Sequence, residues 1–162
     1  GQGSCFWVDV PLPAVAHDPQ SELDPEPART LAGAQVLLVE DNALNRLIAS
    51  MMLKSWGIEV LEAIDGEESL AIVARESGRI DLVLMDIHMP GMSGYETTRH
   101  LRQHYDPLEL PIVALTAAAL ASEQARAITA GMNDFVPKPI DVDQLRTVVS
   151  RWLRRGALPL NN

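Results

Sequence analysis

Cysteine is nearly absent from this chain. Cys5 stands alone among 162 residues, so no internal disulfide can form and a reducing compartment is expected. Long apolar runs are missing too. None reaches the roughly 18 residues needed to span a bilayer, and no signal peptide is recognisable. Positive charge is scarce: 13 Lys and Arg face 22 Asp and Glu, a formal net charge of −9. That deficit argues against nonspecific binding to nucleic acid and against direct contact with an anionic membrane surface. It suits a cation site, and an acidic surface accounts for it equally well. The chain begins with Gly rather than Met, which is expected of a fragment of something longer.

What is present is an ordinary globular balance, 47% hydrophobic and 22% charged, long enough to bury a core without staples. Three zones follow one another. Residues 1–13 hold the alternation Phe6-Trp7-Val8-Asp9-Val10, a lone strand that reads as the end of a missing domain. Residues 14–33 carry Asp18, Glu22, Asp24 and Glu26 among Pro19, Pro25 and Pro27, and read as an acidic, proline-containing linker. Residues 34–155 alternate strand and helix signals, and 156–162 are a tail.

In the third zone, Val36 to Val39 is a short continuous apolar run, as expected of a strand buried on both faces. Leu44, Leu47, Ile48, Met51 and Met52 then follow a helical spacing ended by Gly57. Strands are expected at 58–63, 80–85, 111–115 and 133–136. Helices are expected from Gly66 to about Glu76, from the Ser93–Glu96 cap to about His104, and over 121–130. The last helix starts at Asp141 and should bury Val142, Leu145, Val148, Val149 and Trp152. In the Ala-rich fourth helix, Leu120 and Ile128 are the main large apolar anchors. Five strands alternating with five helices predict a parallel α/β sheet with helices on both faces. The ligand site of such a sheet lies beyond the carboxyl ends of its strands.

Chemistry-bearing residues collect at those ends. The first strand runs into Glu40-Asp41, the third into Asp86, the fourth into Thr116 and the fifth toward Lys138. Singly, each has a plain explanation: a helix N-terminus favours acids, Asp suits a turn, Thr caps, and a lysine between prolines is solvated loop. Jointly they form a pattern. Clustered carboxylates repel unless a cation sits among them, and a hard divalent ion, magnesium above all, answers that need. A hydroxyl and an ammonium suit phosphoryl oxygens, and a carboxylate can be a nucleophile toward phosphorus. The set predicts metal-assisted phosphoryl transfer to an aspartate.

The runs Val39-Glu40-Asp41-Asn42, Leu84-Met85-Asp86-Ile87-His88-Met89-Pro90-Gly91, Ala114-Leu115-Thr116-Ala117 and Pro137-Lys138-Pro139 resemble the two-component receiver family over about residues 34–155. The resemblance implies a doubly wound, flavodoxin-like sheet of order 2-1-3-4-5. It implies that Asp86 accepts phosphate from a phosphohistidine, promoted by the domain itself. It implies that Glu40, Asp41, Asp86 and the backbone carbonyl of His88 hold Mg2+. Thr116 and Lys138 would then bind phosphoryl oxygens, a cis Lys138–Pro139 bond would aim the ammonium at Asp86, and Thr116 and Phe135 would form a switch. Phe135 is equally readable as a core aromatic, and His88 as a loop histidine.

The run from Glu40 to Arg46 is similar to receivers of hybrid sensor histidine kinases. Residues 1–13 likewise resemble the last strand of a kinase ATP-binding domain. The implied partners are the phosphohistidine domain of a kinase, in the same chain or its dimer mate, and a downstream histidine phosphotransfer domain. The implied location is cytoplasmic, beneath a kinase that membranes can anchor. Two other readings stand beside this one: a stand-alone response regulator acting through protein contacts, and an aspartate-nucleophile phosphatase. The phosphatase would place Asp-x-Asp after the first strand, where this chain has Glu40-Asp41-Asn42. Seven residues follow Arg155, so a DNA-binding output domain is not expected in this segment.

Overall fold

A computed structural model of the protein describes residues 31–76, 78–117 and 121–155. The expected kinase-domain remnant at 1–13, most of the linker and the tail lie outside the described residues. Ten elements alternate: β1 (Gln35–Val39), α1 (Ala43–Ser55), β2 (Glu59–Ala63), α2 (Gly66–Arg75), β3 (Leu82–Asp86), α3 (Gly94–Leu101), β4 (Ile112–Thr116), α4 (Ala121–Ala130), β5 (Asp134–Pro137) and α5 (Val142–Arg155). The strands form one parallel sheet of order β2-β1-β3-β4-β5. The expected α/β class and strand order are both observed.

The sheet is buried on two sides because its three central strands are apolar except at Gln35, where β1 starts, and at Asp86 and Thr116, where β3 and β4 end. Val36, Leu38, Leu82, Leu84, Val113, Leu115 and Val136 face α1 and α5, where Leu53, Leu145, Val149 and Trp152 close over them. Leu37, Val39, Val83, Met85, Ile112 and Ala114 face α2, α3 and α4, meeting Ile72, Val73, Tyr95, Leu101, Ala127 and Ala130. Leu31 packs against the first of these clusters and Gly33 donates its N–H to the Gly57 carbonyl. The last residues assigned to the linker therefore belong to the packed unit.

Helix starts follow their capping chemistry. Asn42 accepts hydrogen bonds from the amides of Leu44 and Asn45, and Ser93 with Glu96 completes a reciprocal capping box. At α2 the box is offset: Asp65 caps the Glu68 amide, but the Glu68 carboxylate accepts from Ile64.

Some expectations fail. Val142 is exposed, because it lies at the first turn of α5, beyond the edge of the core. Ile128 is exposed as well, Leu120 lies outside the described residues, and among those described Ala127 and Ala130 are the buried residues of α4. The third helix ends at Leu101 rather than near His104. There Arg102 turns its guanidinium onto the carbonyls of Gly131 and Leu110 and onto Asn133, tying the end of α3 to the starts of β4 and β5.

Candidate functional site

The carboxyl edge of the sheet gathers the residues singled out by sequence. Glu40 and Asp41 follow β1, Asp86 ends β3, Thr116 ends β4, and Lys138 follows β5. One oxygen each of Glu40, Asp41 and Asp86 lies within 4.8 Å of the others. Glu40 is 1% exposed and Asp86 3%, whereas Asp41 is open to solvent.

The Lys138 ammonium lies 2.6 Å from Glu40 Oε2 and 2.8 Å from Asp86 Oδ2. Burial works against the charged ammonium, but hydrogen bonds and attraction from Asp86 and Glu40 outweigh it and raise its pKa. The Lys138–Pro139 bond is cis.

Two neighbours on α1 fix Glu40. Asn45 donates to Glu40 Oε1 at 3.2 Å, and Arg46 donates to the Glu40 carbonyl at 2.7 Å. Asp86 Oδ1 accepts from the His88 amide at 3.2 Å. Beneath it, the first residue of α3, Gly94, packs so closely on the Asp86 carbonyl that a Cβ there would collide with backbone.

The donor set fits a hard divalent cation. Three carboxylates meet one ammonium, which leaves excess negative charge in a largely buried site. Glu40 Oε2 is buried against the Lys138 ammonium at 2.6 Å, and a carboxylate oxygen with one such contact keeps lone-pair capacity for a metal.

Thr116 and Phe135 project on the α4 side of the sheet. Phe135 is half-buried against that core and pairs in register with Ala114. The Thr116 hydroxyl donates to Glu123 Oε2 at 2.8 Å, and Glu123 Oε1 lies 3.4 Å from His88 Nε2. Nearby, Arg126 stacks over the Tyr95 ring at 4.9 Å. Burial and the Glu123 charge push the Tyr95 phenol upward, with Arg126 opposing.

Sequence reasoning missed Glu123, Asn45 and Arg46. The last two lie inside the Glu40–Arg46 run, a signal that was visible without a role attached. Glu123 lies seven residues past Thr116 on an Ala-rich helix, and nothing in its spacing marks it.

The fold and site define a class: a flavodoxin-like α/β domain with clustered carboxylates and a lysine at the carboxyl edge of the sheet. The chain belongs to the response regulator receiver domain family, whose model matches residues 36–150. It is 41% identical over 134 residues to the sensor histidine kinase GacS of Pseudomonas protegens, a match covering 78% of this chain. The chain spans only 14% of that relative's length. Among solved structures it is similar to the receiver domain of a sensor histidine kinase from Pseudomonas aeruginosa, which has a magnesium ion coordinated in its active-site cleft. Identity there is 38%, TM-score 0.67, covering 76% of this chain and 99% of that one. It is also similar to a Saccharomyces cerevisiae receiver domain solved in complex with a histidine phosphotransfer protein. Identity is 28%, TM-score 0.71, covering 80% of this chain and 94% of that one. Among the described residues, no helix is long and apolar enough to cross a membrane.

Proposed function

We propose that this domain takes a phosphoryl group from a phosphohistidine onto Asp86 as one step of a phosphorelay. The observation that carries the reading is the Asp86 carboxylate, 97% buried at the end of β3, paired with Lys138 and clustered with Glu40 and Asp41. An Asp86 oxygen attacks phosphorus, the phosphorus–nitrogen bond of the donor breaks, and the electron pair leaves with the imidazole. Lys138 stabilises charge on the transferring oxygens and Thr116 donates its hydroxyl proton to one of them. Glu40, Asp41, Asp86 and the His88 carbonyl would hold Mg2+, which when bound offsets the negative charge of the phosphoryl oxygens. Phe135 would follow Thr116 in a switch toward α4 and β5.

The parent is read as a hybrid sensor histidine kinase, with this segment in the cytoplasm. Its donor is the phosphohistidine domain of the same chain or of its dimer mate, and its acceptor is a histidine phosphotransfer domain. The GacS likeness and the yeast complex support those partners. The apolar face of α1 beside the site supplies a place for a helical partner: Leu44, Leu47, Ile48 and Met51 are all exposed. Ile48 also lines a shallow depression with Asn45, Lys138, Pro139 and Ile140.

The test uses acetyl phosphate and magnesium with intact-mass detection. Wild type should gain one phosphoryl group and Asp86→Asn none. A stable adduct on the Asn variant would move the acceptor elsewhere.

A further inference from the structure

We infer that Glu123 is a positioning residue that holds the Thr116 hydroxyl away from the phosphoryl site and must release it when Asp86 is phosphorylated. This rests on the reading of Asp86 as acceptor and Thr116 as a phosphoryl ligand. The geometry is specific. Glu123, in the first turn of α4, accepts the Thr116 proton at 2.8 Å through Oε2 and meets His88 at 3.4 Å through Oε1. Both partners are sheltered: Thr116 is 2% exposed and the Glu123 side chain 17%.

A hydroxyl has one proton to donate. Thr116 therefore cannot serve Glu123 and a phosphoryl oxygen together. The two acceptors also repel each other, since a phosphoryl group adds nearly two negative charges on the Asp86 side of Thr116. Glu123 thus stands in for the phosphoryl group at Thr116 while Asp86 is free.

Exchange of one acceptor for the other detaches the first turn of α4 from the end of β4. Among the described residues, the apolar anchors of that helix are small. Its buried residues Ala127 and Ala130 are small, Ile128 is exposed, and Arg126 rests on the Tyr95 ring. Release of Glu123 is then the physical link by which chemistry at Asp86 reaches α4.

The test is a titration of the full chain with beryllofluoride, a phosphoryl mimic, in the presence of magnesium and followed by amide NMR. Glu123→Ala should bind the mimic roughly threefold to tenfold more tightly than wild type, the range expected for removing one competing hydrogen bond. Glu123→Gln, which keeps an acceptor but loses the charge, should fall between. In a Thr116→Val background the gain from Glu123→Ala should shrink, because no hydroxyl remains to be freed. Unchanged or weaker affinity in Glu123→Ala overturns the inference, and so does an equal gain with and without the Thr116 hydroxyl, which would mark a general charge effect. A structural role alone would lower the melting temperature without tightening binding. If wild type fails to bind the mimic at all, the receiver reading fails and this inference falls with it.

Discussion

Lys138 Nζ sits 2.8 Å from Asp86 Oδ2, an ion pair in which the carboxylate is buried and the ammonium is mostly enclosed. Such a pair is expensive to break one-sidedly, because the remaining charge stays buried. Here Glu40 would be stranded as well. Lys138→Met should therefore destabilise the domain by roughly 2–3 kcal/mol in chelator, somewhat below the cost for a fully buried pair. Magnesium should return more stability to this variant than to wild type, since a cation replaces the lost charge. Thermal melts with and without magnesium check both expectations.

Asp41 is the exposed member of the carboxylate cluster, and among the described residues no cationic side chain forms an ion pair with it. Asp41→Ala should leave folding nearly unchanged while weakening magnesium binding by at least about 10-fold, the lower end of what disturbing a metal's ligand environment costs. Calorimetric titration measures it. Equal affinity in the two proteins would place the ion elsewhere.

Gly94 packs against the Asp86 carbonyl, where a Cβ would overlap backbone. Backbone cannot swing aside as a side chain can. Gly94→Ala should cost about 1–3 kcal/mol, as overpacking does, and should slow acetyl-phosphate labelling by shifting the end of β3. Gly91→Ala makes a useful contrast: it has open space at its Cβ but a φ of 75°, so its cost is local strain in the loop.

Much of this architecture was legible in the sequence, for a reason visible in particular residues. The strands that carry the site are buried on both faces, so Val36 to Val39 and Leu82 to Met85 read as unbroken apolar runs, and whatever follows such a run lies at the sheet edge. That placed Glu40, Asp86 and Thr116 together without any tertiary information. Helical faces were harder to assign. The spacing of Leu44, Leu47, Ile48 and Met51 marks a helix but not which side is covered, and the side covered holds Ala49, Ser50 and Leu53. Ser50 is buried because its hydroxyl donates to Glu62 on β2, a pairing that periodicity does not encode. Glu123 was invisible for the same reason: its partner Thr116 lies on another element.

Glu62 supplies a pH test. The Ser50 hydroxyl bonds it at 2.7 Å, and this bond, with help from Lys54 and Arg46, lowers its pKa despite the opposing effect of burial. A carboxylate with a lowered folded-state pKa contributes stability above its ordinary value of 4.5, and that contribution is lost as pH falls through the folded value. Wild type should exceed Glu62→Gln in stability at neutral pH, with the gap closing below about pH 4.5. The gap should be modest, since the group is largely solvent-screened. Urea melts of the two proteins across that range follow it.

The exposed face of α1 separates packing from recognition. Leu47 is 56% exposed and Met51 63%, whereas Leu53, on the opposite side of the same helix, is fully buried. Leu53→Ala should cost about 2–5 kcal/mol by removing buried volume. Leu47→Asp with Met51→Asp should change stability by only about 0.5 kcal/mol per site, as surface substitutions do. The double variant should also label normally with acetyl phosphate, because neither residue reaches Asp86. If a helical phosphohistidine domain docks on this face, the same variant should accept phosphate from that domain at least about tenfold more slowly, an apolar contact area having been replaced by two charges. A side-by-side time course with the two donors separates the outcomes. Equal slowing with both donors would mean that the substitutions disturb the chemical site. Equal speed with both would mean that the donor docks on another face of the domain.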